Sequence, residues 1–414
     1  MIENEGVLKE EVEESGIELR GWMIVVLAWV AFMLANLSNF AFGMILPDMR
    51  AEIGFGLEMS GWLSAVAWMG KGLLTIPISL FITKAKPKRI LQVIFFLMGS
   101  GMLLQGFAIN IIMLFIGRIF VMGVAAGILT VLVLFKIQYV PKERMSMING
   151  IETFTGPAGQ TMGTLLIPFL LIALSGWRNI MISMGVISII IALLWGVVCK
   201  DKNENTVEKT SVKTPILEPL REALRQKNIL LLAFGWPGTS LTWIAIYTFW
   251  PTYAVESLGL TMAQAGMVLG FLPVASMIAS LTSPIIAKKI GYDKPIICLS
   301  GFILPISYFS MLQTSNITLL CLASFISGFA AYSFVPLAFT VLYKIPNLSS
   351  RAISLGTGFI FTLVGIGGAL GGTLAGILGS EFGLYRAISL TCIAPFLFGI
   401  LTLFLDETGE KRKK

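Results

Sequence analysis

Twelve long apolar stretches run through this chain of 414 residues, six on each side of a charged segment between Lys200 and Asn228. A helix needs about 20 mainly apolar residues to cross about 30 Å of hydrocarbon, and only helices and closed barrels satisfy their backbone polar groups there. The first set reads Trp22–Leu46, Ser60–Ile82, Ile90–Ile109, Ile111–Phe135, Met147–Leu174 and Ile180–Val198. The second reads Ile229–Tyr253, Gln264–Ala287, Ile296–Met311, Ile317–Leu342, Ile353–Leu378 and Ile388–Leu405. The pattern predicts an all-α polytopic membrane protein with twelve transmembrane helices in two pseudo-symmetric six-helix bundles. The fifth and eleventh stretches are long enough to tilt or kink.

Basic residues follow the spans in alternation. Lys84, Lys86, Lys88 and Arg89 come after the second, Lys136, Lys142 and Arg144 after the fourth, and Lys288, Lys289 and Lys294 after the eighth. The intervening connections hold only Arg50, Arg178 and Arg386. Basic loops mark the cytoplasmic side, so both termini and the central segment are expected inside, with the protein in the plasma membrane. The net charge of +7 therefore reports topology and contact with anionic lipid headgroups, and no nucleic-acid partner is expected. The acidic start of the chain does not resemble a secretory signal peptide.

The chain divides into an acidic tail over residues 1–20, a six-helix bundle over 21–199, a linker over 200–228, a second bundle over 229–405 and a basic tail over 406–414. Pro215–Leu224 in the linker has its leucines on one face, as an amphipathic surface helix would. Four cysteines without paired spacing read as packing residues, and the absence of histidine removes the commonest metal ligand. We expect no cofactor, no metal and no enzymatic activity.

The halves repeat internally. Gly54 and Gly61 recur, at the same spacing, as Gly259 and Gly266. Gly123–Gly127 is echoed by Gly328–Tyr332, and Gly176–Arg178 by Leu384–Arg386. Parallel repeats of this kind place a substrate site near the membrane midplane, between the halves. These features resemble the major facilitator superfamily of secondary transporters along the whole stretch from Trp22 to Leu405. The family's loop motif is represented by Ser79–Arg89, with Thr83 at the aspartate position, and its second copy ends Lys288-Lys289-Ile290-Gly291. Arg118 with Gly123 and Gly127 matches the family's Arg-and-Gly motif, one residue longer. Gly156-Pro157-Ala158-Gly159 resembles the antiporter-associated motif, with Gln160 in place of a glycine.

Three charged residues fall inside apolar spans, where each costs several kcal/mol unless it faces a partner or a wet cavity. Lys71 lies mid-span on a polar stripe with Ser64, Trp68, Thr75 and Ser79. It would bind a substrate carboxylate or oxyanion, or else pair with Glu152. Arg118 would grip a carboxylate through two parallel hydrogen bonds, or else serve a structural or gating role. Glu152 would carry a coupling proton, or else permanently neutralise Lys71 or Arg118. Asn36, Asn39 and Gln160 could add neutral hydrogen bonds. From the second half, Trp243, Tyr247 and Tyr332 offer an aromatic wall, though such stripes also serve packing.

The expectation is a monomeric secondary active transporter that moves a small anion, either an organic carboxylate or an inorganic oxyanion, by alternating access. Protons or a counter-anion would drive it. Proton-coupled efflux of lipophilic compounds is the alternative on the same fold. A sensor that binds without transporting is the alternative of another class.

Overall fold

The structure is a computed structural model that describes residues 19–82, 86–199, 217–346 and 348–409. Among these the secondary structure is helical throughout, with no strand. The first half comprises α1 (Leu19–Ile53), α2 (Leu57–Ile82), α3 (Pro87–Gly106), α4 (Ile111–Arg118), a π turn (Ile119–Gly123), α5 (Val124–Tyr139), α6 (Lys142–Leu165), α7 (Ile167–Ala173) and α8 (Trp177–Val198). After a short α9 (Leu217–Leu224), the second half comprises α10 (Lys227–Glu256), α11 (Met262–Ile290), α12 (Lys294–Ser310), α13 (Ile317–Ser333), α14 (Val335–Tyr343), α15 (Ser350–Phe382), α16 (Leu384–Thr391) and α17 (Pro395–Thr402). Eight helices among the described residues are long and apolar enough to cross a membrane, and a ninth span is the pair α6–α7, bent by 49°. The bend falls beside Pro168, whose ring cannot continue the hydrogen-bond ladder. The fifth apolar stretch therefore kinks, whereas α15, the eleventh, runs unbroken for 33 residues.

The glycine repeat has a geometric basis. Gly54 (φ 80°) and Gly259 (φ 69°) both adopt the left-handed conformation that ends the first helix of each half. Their partners seven residues on, Gly61 and Gly266, are both places where the halves touch. A Cβ on Gly61 would lie 2.5 Å from the Gly372 carbonyl oxygen of α15, and one on Gly266 2.5 Å from the Thr164 carbonyl oxygen of α6. Gly123 and Gly328 are equivalent in the same way. Gly123 receives α2 at Gly70, and Gly328 receives α11 at Leu272.

The Gly61 and Gly266 contacts between the halves lie towards the end of the molecule that carries Arg50 and Glu256. There Gly43 of α1 meets the backbone of Tyr247 and Thr248 in α10, and the hydroxyls of Ser64 and Thr248 lie 2.9 Å apart across the seam. Arg50 and Glu256 form an ion pair at 3.8 Å between the halves. Small residues allow backbones to approach this closely without help from a hydrophobic driving force.

The short helix α9 does more than lie on a surface. Glu222 accepts hydrogen bonds from the Ser349 amide (3.0 Å) and hydroxyl (2.9 Å), at the start of α15. Ala223 is buried and packs near Gly356 of the same helix. The end of the linker is thus fastened to the second half; Pro215 and Ile216 lie outside the described residues.

Candidate substrate site between the two halves

Arg118 ends α4 and is 2% exposed. The five-residue π turn that follows carries one residue more per turn than an α-helix. It spans the interval between Arg118 and Gly123, whose backbone meets α2 at Gly70. The guanidinium donates from Nε to the Leu63 carbonyl at 3.4 Å and from one terminal nitrogen to Asn39 Oδ1 at 3.3 Å. It also lies 4.1 Å over the ring of Phe42. These partners are a carbonyl, an amide and a ring face. None carries a negative charge.

Beside Arg118 is a cavity lined by Asn39, Phe42, Trp68, Tyr247 and Thr248, with space of about 10 Å³. That is room for about one water molecule. Its walls come from α1, α2, α4 and α10, hence from both halves. Tyr247 connects it to an aromatic group: Phe40 meets its ring edge-on at 4.6 Å, Trp243 lies at 4.9 Å, and Tyr332 lies 5.7 Å from Trp243. Gln160, itself buried, approaches Tyr332 of the same group from the first half. Arg118, Asn39, Trp68 and Tyr247 therefore share one cavity, with Gln160, Trp243 and Tyr332 adjoining it.

Other expected residues lie elsewhere. Asn36 donates to the Phe32 carbonyl of its own helix at 2.8 Å and packs towards Gly159, away from Arg118. The side chain of Lys71 lies outside the described residues.

Among the described side chains Glu152 does not pair with Arg118; its cation is Lys136. The sequence reading placed Lys136 in a loop after the fourth span. Instead α5 continues to Tyr139, and Lys136 is buried within it, 5% exposed. Its Nζ donates to Glu152 at 2.9 and 3.0 Å and to Asn149 Oδ1 at 2.8 Å. Trp29 Nε1 donates to the same carboxylate at 3.4 Å. Helix geometry explains the pairing, because side chains lean towards their helix N-terminus. Since α5 and α6 run in opposite directions, Lys136 and Glu152 lean towards each other. The available signal was the apolar run on both sides of Lys136, which would have justified one more helical turn.

Away from the cavity, Glu52 accepts from Arg178 Nε and from Trp177 Nε1, both at 2.7 Å. Arg178 also caps the Gly106 and Ala108 carbonyls at the end of α3. The Gly-Trp-Arg element thus ties α1, α3 and α8 together. The Arg178 hydrogen bond, helped by Trp177, holds the Glu52 carboxyl below its ordinary value, against a smaller opposing effect of burial.

Two halves of helices packed around a central seam define a polytopic membrane-protein fold. Residues 28–356 match the family model of the Major Facilitator Superfamily, and the chain belongs to that family. A structure of a bacterial homolog of the human lysosomal transporter Spinster, inward-facing and unoccupied, superposes with a TM-score of 0.81, covering 94% of this chain and 98% of that one at 15% identity. The nucleoside transporter NupG superposes with a TM-score of 0.76 at 12% identity, covering 94% and 99%. In sequence, the chain is 30% identical to Monocarboxylate transporter 9 of Mus musculus over 135 residues, 32% of this chain and 26% of that protein. That match spans about a quarter of the mouse protein's length. The uncharacterized transporter YycB of Bacillus subtilis (strain 168) is 19% identical over 326 residues, 78% of this chain and 77% of that protein.

Proposed function

We propose that this chain is a secondary active transporter that carries a small organic anion past Arg118 by alternating access. The setting of Arg118 carries the reading: a buried guanidinium on the seam, whose described partners are all neutral. A desolvated cation without a counter-charge is costly, and an arriving carboxylate would offset that cost through a two-pronged hydrogen bond. The adjoining aromatic rings favour an organic anion over an inorganic one. The name of the mouse relative, a monocarboxylate transporter, is consistent with that class.

The distribution of basic loops puts the Lys136 end and both termini in the cytoplasm, in the plasma membrane. On that orientation the closed Arg50 end faces outwards, and the bundles over 21–199 and 229–405 rock about the seam. The protein would act as a monomer surrounded by lipid. Glu152 would carry the coupling proton. Neutralising it would leave the Lys136 charge unpaired and able to attract the passing anion, and losing the proton would close the pair again.

Flux of labelled small carboxylates, both with and without a hydroxyl group, into proteoliposomes tests the reading. Uptake driven by an inward proton gradient is expected, abolished by Arg118→Gln and uncoupled from pH by Glu152→Gln. Carboxylate binding without flux would identify a sensor. Flux of lipophilic cations that survives Arg118→Gln would identify an efflux pump.

A further inference from the structure

Three buried polar atoms without hydrogen-bond partners belong to the aromatic group beside Arg118: Gln160 Oε1, the Tyr247 hydroxyl and the Tyr308 hydroxyl. Their residues are 7%, 4% and 0% exposed. Tyr247 and Tyr308 both lie within electrostatic reach of Tyr332, and of each other, and Gln160 approaches Tyr332 as well. The cluster thus draws α6 from the first half and α10, α12 and α13 from the second.

Folded proteins pair nearly all their buried polar atoms, so several unpaired ones in one cluster need a cause. An amide carbonyl and two hydroxyls are chemically complementary, yet here each stays without a partner. The Tyr247 ring is instead held by Phe40 and Trp243, which leaves its hydroxyl free of any described bond. Tyr247 also lines the Arg118 cavity.

We infer that Gln160, Tyr247 and Tyr308 form a hydroxyl-recognition subsite beside Arg118, so that the transported anion is a hydroxylated carboxylate. This rests on the reading of Arg118 as the carboxylate site. Only some chemical groups suit the three atoms. The Gln160 oxygen needs a donor, and each tyrosine hydroxyl has a proton to give. A hydroxyl both donates and accepts. A second carboxylate would turn lone pairs towards the Gln160 oxygen, and an ammonium would leave the tyrosine protons unused. Sites built to bond a hydroxyl reject analogues that lack it, because their own polar groups then stay unpaired.

The test compares matched acids on the purified full chain: glycerate with propanoate, and gluconate with hexanoate. Equilibrium binding is measured for the parent protein and for Gln160→Leu, Tyr247→Phe, Tyr308→Phe and Arg118→Gln. The parent should prefer the hydroxylated member of at least one pair by about tenfold or more. The preference should collapse towards one in Tyr247→Phe and Gln160→Leu, and Arg118→Gln should lose both members. Because the Tyr→Phe changes remove hydroxyls without described partners, the variants should stay folded, as thermal unfolding would verify. Equal binding of both members by the parent, with loss in Arg118→Gln, would overturn the subsite and leave the Arg118 reading standing. A preference that persists in all three subsite variants would also overturn it. Binding that survives Arg118→Gln, or no binding of any of the four acids, would remove both readings together.

Discussion

Lys136 and Glu152 form a closed ion pair inside the first half, with Nζ 2.9 Å from Oε2 and 3.0 Å from Oε1, and with Asn149 Oδ1 at 2.8 Å. The ammonium's three donors are matched by three acceptor oxygens, so little capacity is left for another ligand in this conformation. The pair holds α5 against α6, and among the described contacts it does not touch Arg118. Among the described side chains, the charge buried within the first half is therefore divided between a satisfied pair and a guanidinium with neutral company.

Breaking that pair from one side should destabilise the protein strongly. Lys136→Met or Glu152→Leu alone should each cost about 3 kcal/mol, because one buried charge is left behind. The double substitution should recover most of the loss. Thermal unfolding of the three variants in detergent, analysed as a double-mutant cycle, measures the coupling. Additive losses would show that the pair contributes no coupling energy.

The division of charge was only partly legible in the sequence. Hydropathy revealed the helical architecture and its two halves, because an apolar span has few alternatives to crossing a membrane. The glycine repeat was legible too, since Gly54 and Gly259 need left-handed backbone and Gly61 and Gly266 need close approach. Arg118 and Tyr247 were recognisable as candidates because each breaks an apolar pattern. Partnership was not legible. Whether Glu152 meets Lys71, Arg118 or Lys136 depends on helix rotation and on where α5 ends, and a one-turn error hid Lys136. The extra residue after Arg118 was visible as a longer motif, but the π turn over Ile119–Gly123 was not.

The contact between Ser64 and Thr248 should open and close with the transport cycle. With Cys199, Cys298, Cys321 and Cys392 replaced by serine, Ser64→Cys and Thr248→Cys should be linked by a short thiol-reactive cross-linker. Cross-linking should stop flux, and cleavage of the linker should restore it. Full flux in the linked protein would show that this end does not separate during transport.

The π turn should be needed to aim Arg118. Deleting Val121 would restore an ordinary α-helical spacing between Arg118 and Gly123 and rotate the Arg118 side chain relative to the rest of α5 by about 100°. The deletion variant should remain helical by circular dichroism but lose anion binding. Unchanged binding would mean that the turn has no part in positioning the guanidinium.

Glu52 should make stability depend on acid. Its folded-state carboxyl is held below the ordinary value of 4.5, so its contribution is present above that value and fades as the pH falls through the lower folded value. Thermal unfolding of the parent and Glu52→Gln should differ at pH 7 and converge as the medium becomes strongly acidic. The side chain is 49% exposed, which limits the difference to less than about 1 kcal/mol. A gap that widens with acid would contradict the arrangement.

The central claim is that Arg118 receives the anion. Its most direct measurement is a thermal-shift screen of organic and inorganic anions on the parent and on Arg118→Gln and Arg118→Lys. Organic carboxylates should stabilise the parent, fail to stabilise Arg118→Gln, and stabilise Arg118→Lys weakly, since lysine keeps the charge but not the planar fork. Equal stabilisation of the parent and Arg118→Gln by the same carboxylates would contradict the claim.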